Sequence, residues 1–250
     1  MSHTTRTLIT GASSGLGEGL AWEFAARGHQ LALCARRLDR LEALRDALRA
    51  RYPHCRVVIA ELDVTDHGAV FDVFKQLSDA LGGLDRVIVN AGIGKGAPIG
   101  SGGFSANLAT VNTNFTAALA QCEAAVQQFR AQNQGHLVVI SSVTAYRGMA
   151  GATTAYAASK AAVATLAEGI RSELWDTPIR VTTLFPGYIR TDINARLKHA
   201  PFIVDREQGC RALAAAIERG VAKASIPRWP WGVIGLALRL LPLGVVRRLT

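Results

Sequence analysis

Short apolar runs with strand character alternate along almost the whole chain with segments whose apolar residues recur at helical spacing. The first half reads as strand Thr7–Thr10, helix Gly15–Arg27, strand Gln30–Ala35, helix Asp39–Ala50, strand Arg56–Glu61, helix His67–Ala80 and strand Asp85–Asn90. The second half continues with a helix near Asn107–Arg130, strand His136–Ser141, helix Ala155–Glu173, strand Arg180–Phe185, helix Asp205–Arg219 and a short strand Ala224–Ile226. Strands this apolar leave no face for water, so crossover helices must cover both sides. The expected fold is α/β, a doubly wound parallel sheet of about seven strands with helices on both faces. With 250 residues the chain can bury one substantial core. Residues 1–226 are expected to form the α/β domain, and 227–250 an apolar, basic tail belonging to the same unit.

Charge and composition narrow the functional classes. The net charge of +9, from 28 basic and 19 acidic residues, suits anionic ligands in general. The arginines gather at Arg36, Arg37, Arg40, Arg45, Arg49 and Arg51 and again at Arg239, Arg247 and Arg248. No basic stripe interleaved with aromatics joins them, so a nucleic-acid partner is not expected. Cys34, Cys55, Cys122 and Cys210 show no C-x-x-C spacing and read as reduced thiols within the core. The histidines include no i, i+4 pair, so no metal site is expected. A strand begins almost at the first residue, leaving no room for a targeting leader, and a cytoplasmic location is expected.

In a parallel sheet, ligands sit beyond the carboxyl ends of the strands, where the strand order reverses. Distinctive residues cluster at those positions. Thr10-Gly11-Ala12-Ser13-Ser14-Gly15-Leu16-Gly17 follows the first strand and opens a helix. Its glycines allow close backbone approach to a pyrophosphate, and the helix N-terminus supplies N–H groups and partial positive charge. Glycines near a turn often only make a turn, but this strand-turn-helix placement is the one expected of the phosphate loop of a Rossmann-type sheet. The second strand ends at Arg36-Arg37, where a site for NAD would carry an acid to bind the adenosine ribose. Two guanidiniums instead favour a 2′-phosphate and hence NADP(H).

Tyr156 and Lys160 stand four residues apart and share a helical face. A phenol titrates near ~10, too high for ready proton exchange at neutral pH, and a nearby cation lowers that barrier.

Taken with these motifs, the chain resembles a short-chain dehydrogenase/reductase of the length typical of that family, with the match running from Thr7 to about Ile226. The glycine motif falls on Thr10, Gly11, Gly15 and Gly17, with Ser13, Ser14 and Leu16 in the same loop. The adenine-contacting acid falls on Asp63, followed by Val64, and an N-A-G motif falls on Asn90, Ala91 and Gly92. Pro186-Gly187-Tyr188-Ile189-Arg190-Thr191 is similar to the segment holding the nicotinamide carboxamide, with Ile189 acting by backbone and Thr191 by hydroxyl.

The resemblance implies an oxidoreductase moving a hydride between the nicotinamide of NADP(H) and a carbonyl or secondary alcohol. It also implies a tetrad. Tyr156 is the general acid–base, Lys160 binds the nicotinamide ribose and depresses the Tyr156 pKa, Ser142 polarises the substrate oxygen, and Asn114 positions a proton-relay water. By the same resemblance the chain forms a homodimer or homotetramer through the Asn107–Arg130 and Ala155–Glu173 helices. The alternative reading is a non-catalytic NADP(H) sensor, which would have no use for the tetrad.

Four features depart from the family pattern or stand outside it. Ser142 precedes Tyr156 by fourteen residues, one more than the family's usual offset, and Ser141 is further away still. Val89 stands where many relatives carry an Asn, and Gly92–Gly103 contains six glycines in twelve residues, a loop beside the site. The tail Arg228–Thr250 is apolar but interrupted by Arg239 and Pro242, too short a run to span a bilayer. It is expected to pack on a partner subunit, to close the substrate cleft, or to lie on a membrane surface. With Met149, Tyr188 and Phe202 near the expected pocket mouth, the tail points to a hydrophobic small-molecule substrate.

Overall fold

The computed structural model describes residues 4–191 and 201–249. Seven strands, β1 Arg6–Thr10, β2 Gln30–Ala35, β3 Val57–Glu61, β4 Arg86–Val89, β5 Gly135–Ile140, β6 Ile179–Pro186 and β7 Lys223–Ile226, pair in parallel as one sheet of order β3-β2-β1-β4-β5-β6-β7. The order reverses between β1 and β4, which opens a crevice at their carboxyl ends. Strand bounds differ by one residue at most from those read in the sequence.

The period-two geometry of a strand sends alternate residues to opposite faces, and each face builds its own core. Leu8, Ala32, Cys34, Val87, Val89, Leu137 and Val139 meet helices α3 His67–Leu81, α5 Ala117–Gln132 and α6 Thr154–Glu173. Their neighbours Ile9, Leu31, Leu33, Ile88, Val138 and Ile140 meet α1 Gly15–Ala26, α2 Leu38–Arg51 and α7 Arg206–Glu218. Helix α3 shows how the local sequence suits this arrangement. Asp66 caps it by accepting from the Ala69 N–H at 3.1 Å, Val70, Phe74, Leu77 and Leu81 form its buried stripe, and Gly82 ends it at φ +78°. All four cysteines are buried free thiols.

One helix reads differently in three dimensions. The segment expected as a continuous helix over Asn107–Arg130 is α4 Phe104–Val111, a π-helical turn Asn112–Thr116, and then α5. The wider turn lets the buried Asn114 side chain hydrogen-bond across to another loop, which a regular α-helical register would not offer.

The tail forms helices α8 Arg228–Leu240 and α9 Leu243–Leu249. Trp231 of α8 joins Val143 and Phe185 in a third, small core, with Tyr146, Tyr188 and Ile234 against it. The Tyr146 ring stacks on Phe185 at 4.7 Å and lies under the Arg239 guanidinium at 4.3 Å, while its hydroxyl pairs with Ser225 Oγ at 2.8 Å. A Cβ on Gly235 would stand 2.4 Å from this ring, so glycine allows α8 to seat so closely. Among the described residues no helix is long and apolar enough to cross a membrane.

Candidate active site

At the carboxyl ends of the strands lies a cleft of about 450 Å³, within the range that holds small ligands and cofactors. Its floor is the loop after β1. Gly11 has φ +64°, and a Cβ there would stand 2.9 Å from Ala91 Cα. A Cβ on Gly17 would stand 2.4 Å from the Gly11 carbonyl oxygen. Both positions therefore exclude side chains, the first also by its left-handed backbone. The Thr10 hydroxyl accepts from the N–H groups of Asn90 and Ala91, each at 3.0 Å, and Asn90 Nδ2 donates to the Thr10 carbonyl at 2.9 Å. These bonds lock the ends of β1 and β4 together across the switch point.

Helix α1 begins at this loop without a side-chain cap on its first turn. Its leading N–H groups thus have no side-chain acceptor from Ser14, the arrangement that receives an anion. Arg37 lies across the loop, donating from Nη2 to Ser14 Oγ at 2.7 Å and to Ser13 Oγ at 3.0 Å. Arg36 faces Asp63 at 3.8 Å. Burial opposes ionisation of Asp63, but hydrogen bonds from the Thr65 N–H and hydroxyl, with Arg36, hold its pKa below the ordinary value. The two guanidiniums, loop hydroxyls and helix terminus match the anionic half of a dinucleotide.

At the other end of the cleft, Tyr156, Ser142 and Lys160 line the wall together. Ser142 also accepts from the Thr144 N–H at 3.2 Å. Ser141 turns away and donates to the Lys160 carbonyl at 2.7 Å, tying β5 to α6. Between Ser142 and α6 the chain forms two short 3-10 turns, Val143–Tyr146 and Gly151–Thr153. Lys160 is buried, its Nζ donating to the Ile140 carbonyl at 2.9 Å and lying 5.9 Å from the Tyr156 ring centre. Desolvation lowers its pKa to about 8.

The phenol departs from the sequence expectation. Burial raises the Tyr156 pKa, the Ser142 hydrogen bond only partly offsets this, and the nearby Tyr188 adds to the rise. Lys160 Nζ donates to the Ile140 carbonyl, and the net rise at Tyr156 is set by burial, Ser142 and Tyr188.

The sequence-derived residues Gly11, Ser13, Ser14, Gly15, Leu16, Arg36, Arg37, Asp63, Val64, Asn90, Ala91, Gly92, Ser142, Tyr156, Lys160, Pro186, Gly187, Ile189 and Thr191 all line this one cleft. Gly17 and Asn114 stand behind its wall. Gly17 is pressed against the Gly11 backbone, so its part is to let the loop close. Asn114, 1% exposed, accepts from the Ile93 N–H at 2.8 Å and donates to the Ile93 carbonyl at 2.9 Å and Ser159 Oγ at 3.2 Å. Its amide holds the Gly92–Ile93 corner and so shapes the cleft from behind. Thr113, Thr144 and Thr153 also line the cleft but carry no motif signal in the sequence. Of the residues expected at the mouth, Tyr188 lines the cleft, and Phe202 reaches it only through Trp231, whose ring meets Tyr188 edge-on at 5.5 Å and Phe202 at 6.2 Å. Met149 is not on the cleft wall; its carbonyl accepts from the Thr154 hydroxyl.

An all-parallel sheet with a glycine floor at its switch point and a Tyr–Ser–Lys end wall defines a Rossmann-like α/β protein of redox type. The short chain dehydrogenase family model matches residues 5–201, and the chain belongs to that family as an oxidoreductase. It is 52% identical over 243 residues to a protein named as an uncharacterized oxidoreductase in Mycobacterium tuberculosis, covering 97% of this chain and 96% of that one. A similarly named Myxococcus xanthus protein is 37% identical, with 97% and 94% covered. Among solved structures, a short-chain dehydrogenase from Sphingobium yanoikuyae in complex with NADPH superposes with TM-score 0.82 at 29% identity, covering 98% of this chain and 94% of that chain.

Proposed function

We propose that this oxidoreductase uses NADP(H) to interconvert a hydrophobic carbonyl compound and its secondary alcohol. The observation that carries the reading is the convergence of Tyr156, Ser142 and Lys160 on one end of a cleft whose other end holds Arg36 and Arg37. The nicotinamide, when bound, supplies hydride chemistry and, in its oxidised form, a positive charge. Arg36 and Arg37 bind the 2′-phosphate, and Ser13, Ser14 and the α1 terminus hold the pyrophosphate. Asp63 and Val64 would flank the adenine, and Asn90 to Gly92 and Pro186 to Thr191, which line the same cleft, would hold the rest of the cofactor.

The Tyr156 hydroxyl gives its proton to the substrate oxygen in reduction and takes it back in oxidation. Ser142 orients that oxygen. Lys160 holds the nicotinamide ribose, and its pKa near 8 lets it accept or release a proton close to neutral pH. Asn114 is a positioning residue, keeping Ile93 and Ser159 in place behind the tetrad.

Residues 1–226 act as the catalytic domain, with 227–250 part of the same unit, in a cytoplasmic protein that touches a membrane peripherally through its tail. An apolar groove between α5 and α6, lined by Leu119, Val126, Leu166 and Ile170, supports assembly into a homodimer or homotetramer.

Tyr156→Phe tests the mechanism. NADPH titration should give unchanged affinity, while carbonyl reduction followed by NADPH absorbance falls by about 10²–10⁴-fold. Unchanged turnover would refute the assignment.

A further inference from the structure

Helix α8 has two apolar faces, and the described residues of the fold pack on one of them. Trp231, Gly235 and Leu238 face inward over Tyr146 and Tyr188. On the other side Val233, Leu236 and Leu240, spaced i, i+3 and i+7, are 59%, 59% and 75% exposed. Trp229 at the start of the helix is 76% exposed, and Leu243 and Val245 of α9 continue the exposed apolar surface. Isolated exposed apolar residues need no explanation, but a row along one helix does.

The charges around this row discriminate between occupants. Residues 227–250 contain Arg228, Arg239, Arg247 and Arg248 and no aspartate or glutamate. A second copy docking through the same face about a two-fold axis would set this acid-free, arginine-bearing segment against its own image, a like-charge arrangement that disfavours the contact. An anionic lipid surface meets the same face with opposite charge. Exposed tryptophan and arginine beside an apolar helical stripe are the residues that settle at a headgroup boundary.

We infer that α8 and α9 dock the protein on the surface of an anionic membrane, with Trp229, Val233, Leu236, Leu240 and Leu243 entering the headgroup boundary. This rests on, and makes specific, the peripheral contact proposed above. It also bears on the substrate. The inward side of α8 places Trp231 against Tyr188, which lines the cleft, so the docked helix lies between lipid and the substrate end of the site.

The test is co-sedimentation with phosphatidylcholine vesicles, alone and with about a quarter of phosphatidylglycerol, at low and high salt and without cofactor or carbonyl compound. The wild type should sediment with the anionic vesicles, less at high salt, and Leu236→Glu/Leu240→Glu should reduce binding by about tenfold or more. Both positions are exposed, so circular dichroism and turnover of a water-soluble carbonyl probe should match the wild type; Trp229→Ala provides a milder variant of the same face. Equal sedimentation of wild type and variants, or no wild-type sedimentation with anionic vesicles, overturns the inference. So does a lower oligomeric mass of the double variant by light scattering without lipid, which would assign the face to a second copy. Tyr156→Phe should bind vesicles as the wild type does, so failure of the redox reading and failure of membrane docking give different results.

Discussion

Replacing Asn114 with alanine should damage the site through the backbone behind it. The Asn114 amide satisfies both the N–H and the carbonyl of Ile93, and it is almost fully buried. Alanine orphans these two groups, and each costs about 1–3 kcal/mol when left unpaired away from water. The sum is about 4 kcal/mol. A chain of this size loses roughly 2–4 °C of melting temperature per kcal/mol, so thermal unfolding followed by circular dichroism should shift down by about 10 °C. Asn114→Asp separates hydrogen bonding from packing. A carboxylate can still accept from the Ile93 N–H but has nothing to donate to the Ile93 carbonyl or Ser159. Its folded-state pKa should therefore rise above the unfolded value of ~3.9. Measured against wild type at each pH, the deficit of this variant should shrink as the pH falls through the raised pKa, because the protonated acid regains a donor. A melting temperature for Asn114→Ala within 2 °C of wild type, on the roughly 10 °C scale worked above, would refute the assignment of this amide as a backbone support.

Two further outcomes follow from charge placement. Replacing Arg36 and Arg37 together with alanine should weaken NADPH binding about 10–100-fold in fluorescence titrations while leaving NADH within a few-fold, since charge-assisted phosphate bonds are lost; equal loss for both cofactors would contradict the 2′-phosphate reading. His136, buried against Arg86 and Thr182, has its pKa lowered from 6.5 to about 3 by desolvation and then by the nearby Arg86 and Arg180. The unfolded chain binds this proton and the folded one does not, so His136 should destabilise the fold by a few kcal/mol as pH falls from about 6.5 towards 3. Denaturant unfolding of His136→Gln across that range should show a flatter pH dependence than wild type; parallel curves would exclude this residue as a source.

The strands, most helices and the cleft's location were legible in the sequence, because period-two and period-3.6 patterns and the glycines of Gly11–Gly17 express local backbone geometry. The Tyr156/Lys160 pair was legible for the same reason, since four residues on a helix place two side chains on one face. The resemblance assigns Ser142 and not Ser141, and the tertiary structure shows how their surroundings differ. Neighbouring residues of an extended segment point in opposite directions, and only the packing of α6 on β5 puts the Ser141 hydroxyl on the Lys160 carbonyl and leaves Ser142 to accept from the Thr144 N–H. The same holds for Asn114, whose partner Ile93 lies 21 positions away across a π-helical turn that no periodicity announces. The raised pKa of Tyr156 was likewise not legible, because desolvation depends on everything packed around the phenol. The tail is the clearest division. Its sequence already contained the apolar residues and the arginines, but both faces of α8 are apolar. Only docking of Trp231 beneath Tyr188 decided which face the fold covers and which it leaves exposed beside the substrate end of the cleft.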